Sequence, residues 1–241
     1  MEAIQHTFKR VEKKYVITGE QEEALLRRLE PYMRMDEYGR HTVLNIYFDT
    51  EDFALIRESV EKPVYKEKFR LRTYSTSGEE DVVFAELKKK YKGVVYKRRI
   101  AAGAREIDRV IGGETIPGED VQTQREMHWF FGMYRAKPRV FIGYDRFALI
   151  GREDENLRVT FDHDIRWRKE RLNLSAGADG ELVLGENPII MEIKIPGAAP
   201  LWLARLLSEM RIFPTSFSKF GACYLTHIAP NFLTNGGIHH A

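Results

Sequence analysis

The chain has 241 residues, enough for one large domain or two small ones, and its 38 Lys plus Arg against 36 Asp plus Glu leave a net charge of +2. That balance excludes a uniformly positive coat, so any anion site must come from where the bases are placed. A hydrophobic share of 43% beside 31% charged residues excludes both a disordered chain and a membrane bundle.

Residues 8 to 17 alternate as a strand does, with Val11, Tyr15 and Ile17 on one face and Arg10, Glu12 and Lys14 on the other. Thr18 and Gln21 read as a capping box, and Leu25, Leu26, Leu29 and Met33 keep helical spacing, which predicts a helix over 19–34. A strand follows at 43–48, and Thr50 is placed to cap a short helix through Phe53 and Ile56. Alternation resumes over 64–74, setting Lys66, Lys68, Arg70 and Arg72 against Tyr65, Phe69 and Leu71. After a turn at 78–81, residues 82–91 set Glu86, Lys88 and Lys90 against Val83, Ala85 and Leu87. Gly93 takes a hairpin position, and the returning strand at 96–100 carries a basic run, Lys97, Arg98 and Arg99, whose facing parity is undecided.

Two helices near 104–111 and 120–136 precede a strand over 139–149 with Tyr144 and Arg146 on one parity. Arg158, Thr160 and Asp162 then alternate with Val159 and Phe161, and 166–174 with 182–186 reads as a hairpin around Gly177 and Gly180. Residues 189–195 set Glu192 and Lys194 against Met191, Ile193 and Ile195, and helices near 199–211 and 219–228 follow. Trp129 and Trp202 fall in helical apolar stripes and are expected in the core. So is the single Cys223, which can form neither an internal disulfide nor a thiolate metal site. His163 and His227 read as structural and His239 and His240 as tail residues. No low-complexity linker divides these elements, which predicts a single α+β domain over 1–241 with mainly antiparallel strands. The N-terminal stretch lacks the apolar run of a secretory signal and residues 220–241 fall short of a membrane helix, so a cytoplasmic location without membrane insertion is expected.

No Walker A loop, Gly-x-Gly-x-x-Gly, His-Glu-x-x-His or Gly-x-Ser-x-Gly is present. Charge instead gathers on one parity of many strands: Arg10, Lys14, Lys68, Arg70, Arg72, Lys88, Arg146, Arg158 and Lys194, beside the carboxylates Glu12, Glu86, Asp162 and Glu192. A solvated open face is the ordinary explanation for such strands. Like charges at adjacent positions such as Lys68, Arg70 and Arg72 repel, however, unless an anion joins them. If about eight strands close into a barrel, the basic parity lines a lumen wide enough for one slender ligand, with helices packed outside. A linear phosphate chain suits that lumen, because arginine's planar fork matches phosphate oxygens. Glu-x-Lys occurs three times, at Glu12, Glu86 and Glu192, each on a predicted strand, where it sets acid and base on one face. One or two such acids can hold a divalent cation completed by phosphate oxygens and water. Glu86 has a competing role, to orient Lys88 or Arg70, and Tyr47 and Asp49 likewise have a structural reading, as strand end and helix cap, beside one as part of the site.

The stretches Lys14-Tyr15, Tyr47-Phe48-Asp49-Thr50, Lys68-x-Arg70-x-Arg72, Glu86-x-Lys88, Tyr144-x-Arg146, Arg158-x-Thr160-x-Asp162, Glu192-x-Lys194 and Ser218-Lys219-Phe220 span nearly the whole chain. In this order the chain resembles the polyphosphate polymerase domain of the vacuolar transporter chaperone (VTC) family, within the triphosphate tunnel metalloenzymes. The resemblance implies a closed eight-stranded antiparallel β-barrel tunnel in which Lys14, Arg70, Arg72, Lys88, Arg146, Arg158 and Lys219 bind phosphates at the reacting centre. Arg10, Lys68, Lys194, Ser218 and Tyr144 would contact substrate beside them, and Glu192, with Glu86 as a second candidate, would hold manganese or magnesium. The implied activity is transfer of the γ-phosphate of ATP onto a growing polyphosphate chain. Arg10 stands where the adenylate cyclase and thiamine triphosphatase branch carries the first glutamate of Glu-x-Glu-x-Lys, which favours the polymerase branch. Eukaryotic subunits add a phosphate-sensing domain and membrane helices, which leaves room here for a membrane or regulatory partner. Hydrolysis of tripolyphosphate or a nucleoside triphosphate in the same tunnel is the nearest rival, and a non-catalytic polyphosphate sensor is the next. Nucleic acid is not an expected partner, because Tyr15, Phe69 and Phe161 lie on the parity opposite the bases, whereas single-strand binders interleave rings with charge.

Overall fold

The alternation of charge and oil becomes backbone pairing in the computed structural model, which describes residues 10–74 and 82–230, Arg10 by its backbone alone. In chain order the elements are β1 (Arg10–Ile17), α1 (Gly19–Leu29), β2 (Met33–Met35), β3 (His41–Asp49), α2 (Ala54–Val60), β4 (Tyr65–Thr73), β5 (Val83–Tyr91) and β6 (Val94–Ala102). They continue with α3 (Ala104–Ile111), α4 (Val121–Tyr134), β7 (Lys137–Gly151), β8 (Arg158–Arg168), β9 (Glu181–Leu182), β10 (Ile189–Pro196), α5 (Leu201–Glu209) and α6 (Lys219–Cys223). The turn expected at 78–81 lies outside the described residues.

The class is α+β with antiparallel strands, as expected, but the sheet is open. Its strand path runs β1-β10-β8-β7-β3-β4-β5-β6, with β2 added on β7 and β9 on β8, and among the described residues the terminal strands β1 and β6 do not pair. The closed eight-stranded barrel is therefore corrected. Closure requires a ladder between the two terminal strands, and the outer edge of β1 is taken instead by Thr215, whose N–H donates to the Lys14 carbonyl at 2.7 Å.

The chain forms two compact units, joined by the strands β7 and β8, which run through both. One is built from the chain up to His41, Asp145–Asp164 and Glu186–Phe217, the other from Thr42–Tyr144, Ile165–Gly185 and the chain from Ser218 on. Each has its own core. In the first, Tyr15, Ile17, Phe161, Met191 and Ile193 from the apolar parity of the strands meet Leu25 and Leu29 of α1 and Leu203 and Leu206 of α5. In the second, Phe69, Ala85, Leu87 and Ile100 meet Ile107, Met127 and Phe130 from α3 and α4. Burying the odd residues of β4 this way points its even ones, Lys66 to Arg72, to the other side of the sheet.

Several elements depart from the sequence reading for local reasons. The first helix stops at Leu29 because Pro31 has no N–H to continue the ladder, and Met33 starts β2 instead, paired with Gly151. The return after Gly180 is only the two residues of β9, against a β8 that runs unbroken to Arg168. The last helix is α-helical only to Cys223 and then widens into a π-turn over Tyr224–Ile228. Trp129 is 51% exposed, because α4 buries Thr123, Gln124, Met127 and Phe130 and leaves position 129 on the far side. Trp202 does pack, stacked at 4.1 Å on Tyr32. Cys223 is fully buried.

Candidate functional site

Each unit carries a polar sheet face. In the second unit the register is set by a two-residue hairpin loop, Lys92 and Gly93, both at positive φ. That loop pairs Tyr91 with Val94 and brings four rungs across β4, β5 and β6: Lys66–Lys90–Val95, Lys68–Lys88–Lys97, Arg70–Glu86–Arg99 and Arg72–Phe84–Ala101. The undecided basic run is thereby resolved. Lys97 and Arg99 share the face of Arg70, while Arg98 points to the other side and meets Glu126 at 2.9 Å.

Glu86 is enclosed by guanidinium groups. It accepts from Arg70 Nε at 2.7 Å and Arg99 Nε at 3.0 Å, with Arg72 Nε at 3.7 Å. Burial pushes its carboxyl up, but the three arginines outweigh burial and pull it down to about 2. Arg70 also donates to Tyr47 Oη at 3.1 Å. The buried Arg72 divides its fork, with Nε to Asn45 Oδ1 at 3.0 Å, Nη1 to Tyr74 Oη at 3.2 Å and Nη2 to Tyr144 Oη at 3.5 Å. Asn45 is held in turn by donating to the Ile142 carbonyl at 2.9 Å. Lys68 donates to Ser218 Oγ at 3.2 Å, and that hydroxyl also accepts from the Gly221 N–H, so Ser218 is the cap of α6. Lys219 Nζ lies 4.4 Å from the centre of the Tyr144 ring. Asp49 serves as a helix cap: fully buried, it accepts from the N–H groups of Thr50, Leu55 and Ile56 at 2.8 to 3.0 Å.

In the first unit the rungs are Lys14–Glu192–Thr160 and Glu12–Lys194–Arg158. Glu192 sits 3.0 Å from Lys194 Nζ and 3.7 Å from Lys14 Nζ, which is also 3.7 Å from Glu12 and donates to the Phe217 carbonyl. Burial alone would raise the Glu192 carboxyl, and Lys194, Lys14 and Arg146 hold it well below the usual carboxylate range. Arg146 grips the buried Asp162 at 2.6 and 2.8 Å, and Arg158 meets Asp36 at 2.6 Å. The Arg10 side chain lies outside what is described; its backbone pairs with Pro196. Tyr15, Phe69 and Phe161 are all buried on the parity opposite the bases. His163 meets Glu22 at 2.8 Å and His227 the Val183 carbonyl at 2.9 Å.

The repulsion that called for an outside anion is thus partly relieved from within, by Glu86, Glu192, Asp162 and the unforeseen Asp36. The two lysine rungs are different. Lys66–Lys90 and Lys68–Lys88–Lys97 set lysines at directly opposite strand positions with no acidic residue in the rung, the Lys66 ammonium donating to the Ser59 carbonyl at 2.9 Å and that of Lys68 to Ser218. Arg99 was also unforeseen, and the signal that finds it is the loop length. A two-residue turn at Lys92 and Gly93 places Arg99 opposite Glu86.

The antiparallel sheet with helices packed on its apolar side matches a tunnel fold seen in solved structures, here with the sheet left open. A proposed adenylate cyclase from Bacillus halodurans is 16% identical over 87% of this chain and 93% of its own, with a TM-score of 0.54. A proposed adenylyl cyclase from Hippeastrum with a dominant triphosphatase activity is 16% identical over 90% and 95%, also at 0.54. The chain belongs to the VTC domain family, whose model matches residues 9–228. No curated protein matches it. Among the described residues no helix is long and apolar enough to cross a membrane.

The donor set decides where a divalent ion fits. Among the described residues no group of three or more His, Cys, Asp or Glu is placed to hold one. Glu86 does not fit a metal, because three guanidinium groups already occupy its surroundings. Glu192 is paired directly with ammonium groups on flexible stems, with the Arg146 guanidinium held by Asp162, and offers one carboxylate, so it fits manganese or magnesium where phosphate oxygens and water supply the remaining ligands.

Proposed function

We propose that this chain is a metal-dependent ATP:polyphosphate phosphotransferase and that residues 1–241 act as one domain. The observation that carries the reading is the pair of polar sheet faces whose rungs repeat Lys and Arg, in a chain of the VTC family. Arg70, Arg72, Lys88 and Lys219 on one face, and Lys14, Arg146 and Arg158 on the other, are the groups assigned to phosphate oxygens, with Lys68, Lys194, Ser218 and Tyr144 beside them, and Arg10 is a further substrate contact in this reading. A terminal oxygen of the acceptor phosphate attacks the γ-phosphorus of ATP in line. The bond from that phosphorus to the β,γ-bridging oxygen breaks, and ADP leaves with the electron pair. The attacking oxygen is already ionised, so no general base is required, which agrees with structural roles for His163 and His227. The arginines stand ready to offset charge on the equatorial oxygens, and their carboxylate, asparagine and tyrosine partners hold them oriented before substrate arrives. Glu192 is the residue assigned to manganese or magnesium, which when bound polarises phosphoryl oxygens and neutralises their charge. ATP and polyphosphate are the proposed ligands, in the cytoplasm.

Purified protein given ATP and manganese should form long polyphosphate visible on a gel. No chain growth across metals and primers, from protein that binds ATP, would overturn the reading. Hydrolysis is the second reading, favoured by the triphosphatase activity of the Hippeastrum neighbour. Release of free phosphate without chain growth is its signature.

A further inference from the structure

Along the polar face of β4, β5 and β6 the chemistry changes from one end to the other. At the Arg72 end the Arg99 guanidinium lies 4.5 Å over the Phe84 ring, and the Tyr74 ring meets Phe84 edge-on at 5.6 Å. The Arg72 guanidinium is 5.8 Å from the Tyr74 ring centre. Of these flat groups Tyr74 and Arg99 are open to solvent, Tyr74 at 39% exposed and the Arg99 side chain at 47%, while Phe84 is half-buried beneath them and Arg72 is buried. The middle rung holds Arg70, Glu86 and Arg99. Beyond it the charged residues are all lysines, Lys68–Lys88–Lys97 and then Lys66–Lys90 with Val95, with no aromatic ring in either rung, and the Lys66 ammonium donates to the Ser59 carbonyl at 2.9 Å. At about 3.3 Å per residue, six residues separate Arg72 from Lys66 by about 20 Å.

The two ends suit different parts of a phosphate substrate. Aromatic and guanidinium planes accept the face of a nucleobase whatever its sequence identity. Ammonium groups are compact point charges suited to a repeating anion that offers no flat surface. We infer that the Tyr74–Phe84–Arg99 end takes the base of a nucleoside triphosphate and that the Lys66–Lys90 end takes the far phosphates of a linear polyphosphate, which gives the face a direction. The inference rests on the phosphotransfer reading and adds the residues that sort its two substrates.

Binding is measured at about 0.15 M salt for ATP, tripolyphosphate and a long-chain polyphosphate. Charges about 13 Å apart are then screened from one another, because the Debye length is about 8 Å. Tyr74→Ala should weaken ATP by about fivefold or more, the range of a lost base stack, with tripolyphosphate within about twofold of the parent. Tyr74→Phe, which keeps the ring, should restore ATP binding, and Phe84→Leu should weaken ATP alone. Lys66→Gln with Lys90→Gln should weaken the long chain several-fold and leave tripolyphosphate and ATP within about twofold. Unchanged ATP affinity in both Tyr74→Ala and Phe84→Leu overturns the inference, as does an equal loss of ATP and long chain in the lysine pair. A parent protein that makes polyphosphate yet shows either of those results keeps its function and loses its direction. One that shows the expected pattern without chain growth keeps the direction and loses the phosphotransfer reading.

Discussion

Arg146 on β7 and Asp162 on β8 are joined by two parallel hydrogen bonds, Nε to Oδ1 at 2.6 Å and Nη2 to Oδ2 at 2.8 Å, with Asp162 fully buried. Such a fork fixes the plane of the guanidinium as well as its position. Other acids pair with bases through simpler contacts, Asp36 with Arg158 by one hydrogen bond, Glu86 with two nitrogens of Arg70 through one oxygen, and Glu192 with the Lys194 ammonium. Acids on these faces orient bases, so their removal should be felt first in stability.

Asp162→Asn leaves the largely buried Arg146 without its counter-charge. Breaking a buried pair from one side costs about 3–5 kcal/mol, and the retained amide oxygen should put this variant near the lower end. Urea unfolding measures it, and a loss below about 1 kcal/mol would contradict the structural role given to Asp162.

Glu86 links stability to pH. Its folded value of about 2 lies below the ordinary 4.5, so its stabilisation is complete above that ordinary value and disappears as the pH falls toward 2. The gap corresponds to at most about 3 kcal/mol. Glu86→Gln should therefore be destabilised at pH 7, and the difference from the parent should shrink below about pH 4. With its charge gone, tripolyphosphate should bind more tightly. Near-parental stability with loss of metal activation would instead make Glu86 a metal ligand.

Glu192→Gln tests the assignment of the metal. Metal-activated turnover should fall by at least about a hundredfold, while metal-free binding of tripolyphosphate holds or strengthens because a buried negative charge has been removed. Retained metal activation in this variant, followed by titrating manganese against turnover, sinks the assignment.

Arg72→Lys keeps the charge and loses the fork. A single ammonium cannot meet Asn45, Tyr74 and Tyr144 together, and the buried Asn45 oxygen is left without its donor. The expected cost is about 1–3 kcal/mol in thermal or urea unfolding, with weaker ATP binding. Parental behaviour in both measurements would show that charge alone matters at this position.

Much of this was legible in the residues and some was not. The parity of β4 follows from strict alternation, and burial of Phe69 and Leu87 confirms the side on which Arg70 and Glu86 face each other. Helical spacing carried the first helix to Met33 because periodicity does not register the N–H missing at Pro31. Trp129 was misplaced because an aromatic can share a helix with a core stripe while lying on its opposite side. The barrel was expected closed because alternation says which face a residue takes and nothing about whether two distant terminal strands pair. Asp36, the partner of Arg158, lies 122 residues away in the sequence, and no local pattern announces such a contact.

Cys223 is fully buried, and burial pushes its thiol up to about 12, so at pH 7 it is held as the unreactive thiol. The chain thus tolerates maleimide chemistry without first being stripped of its own sulfur. Lys90→Cys can be labelled with an environment-sensitive fluorophore on an otherwise native background, and the arrival of a long anion at that end can be followed in real time.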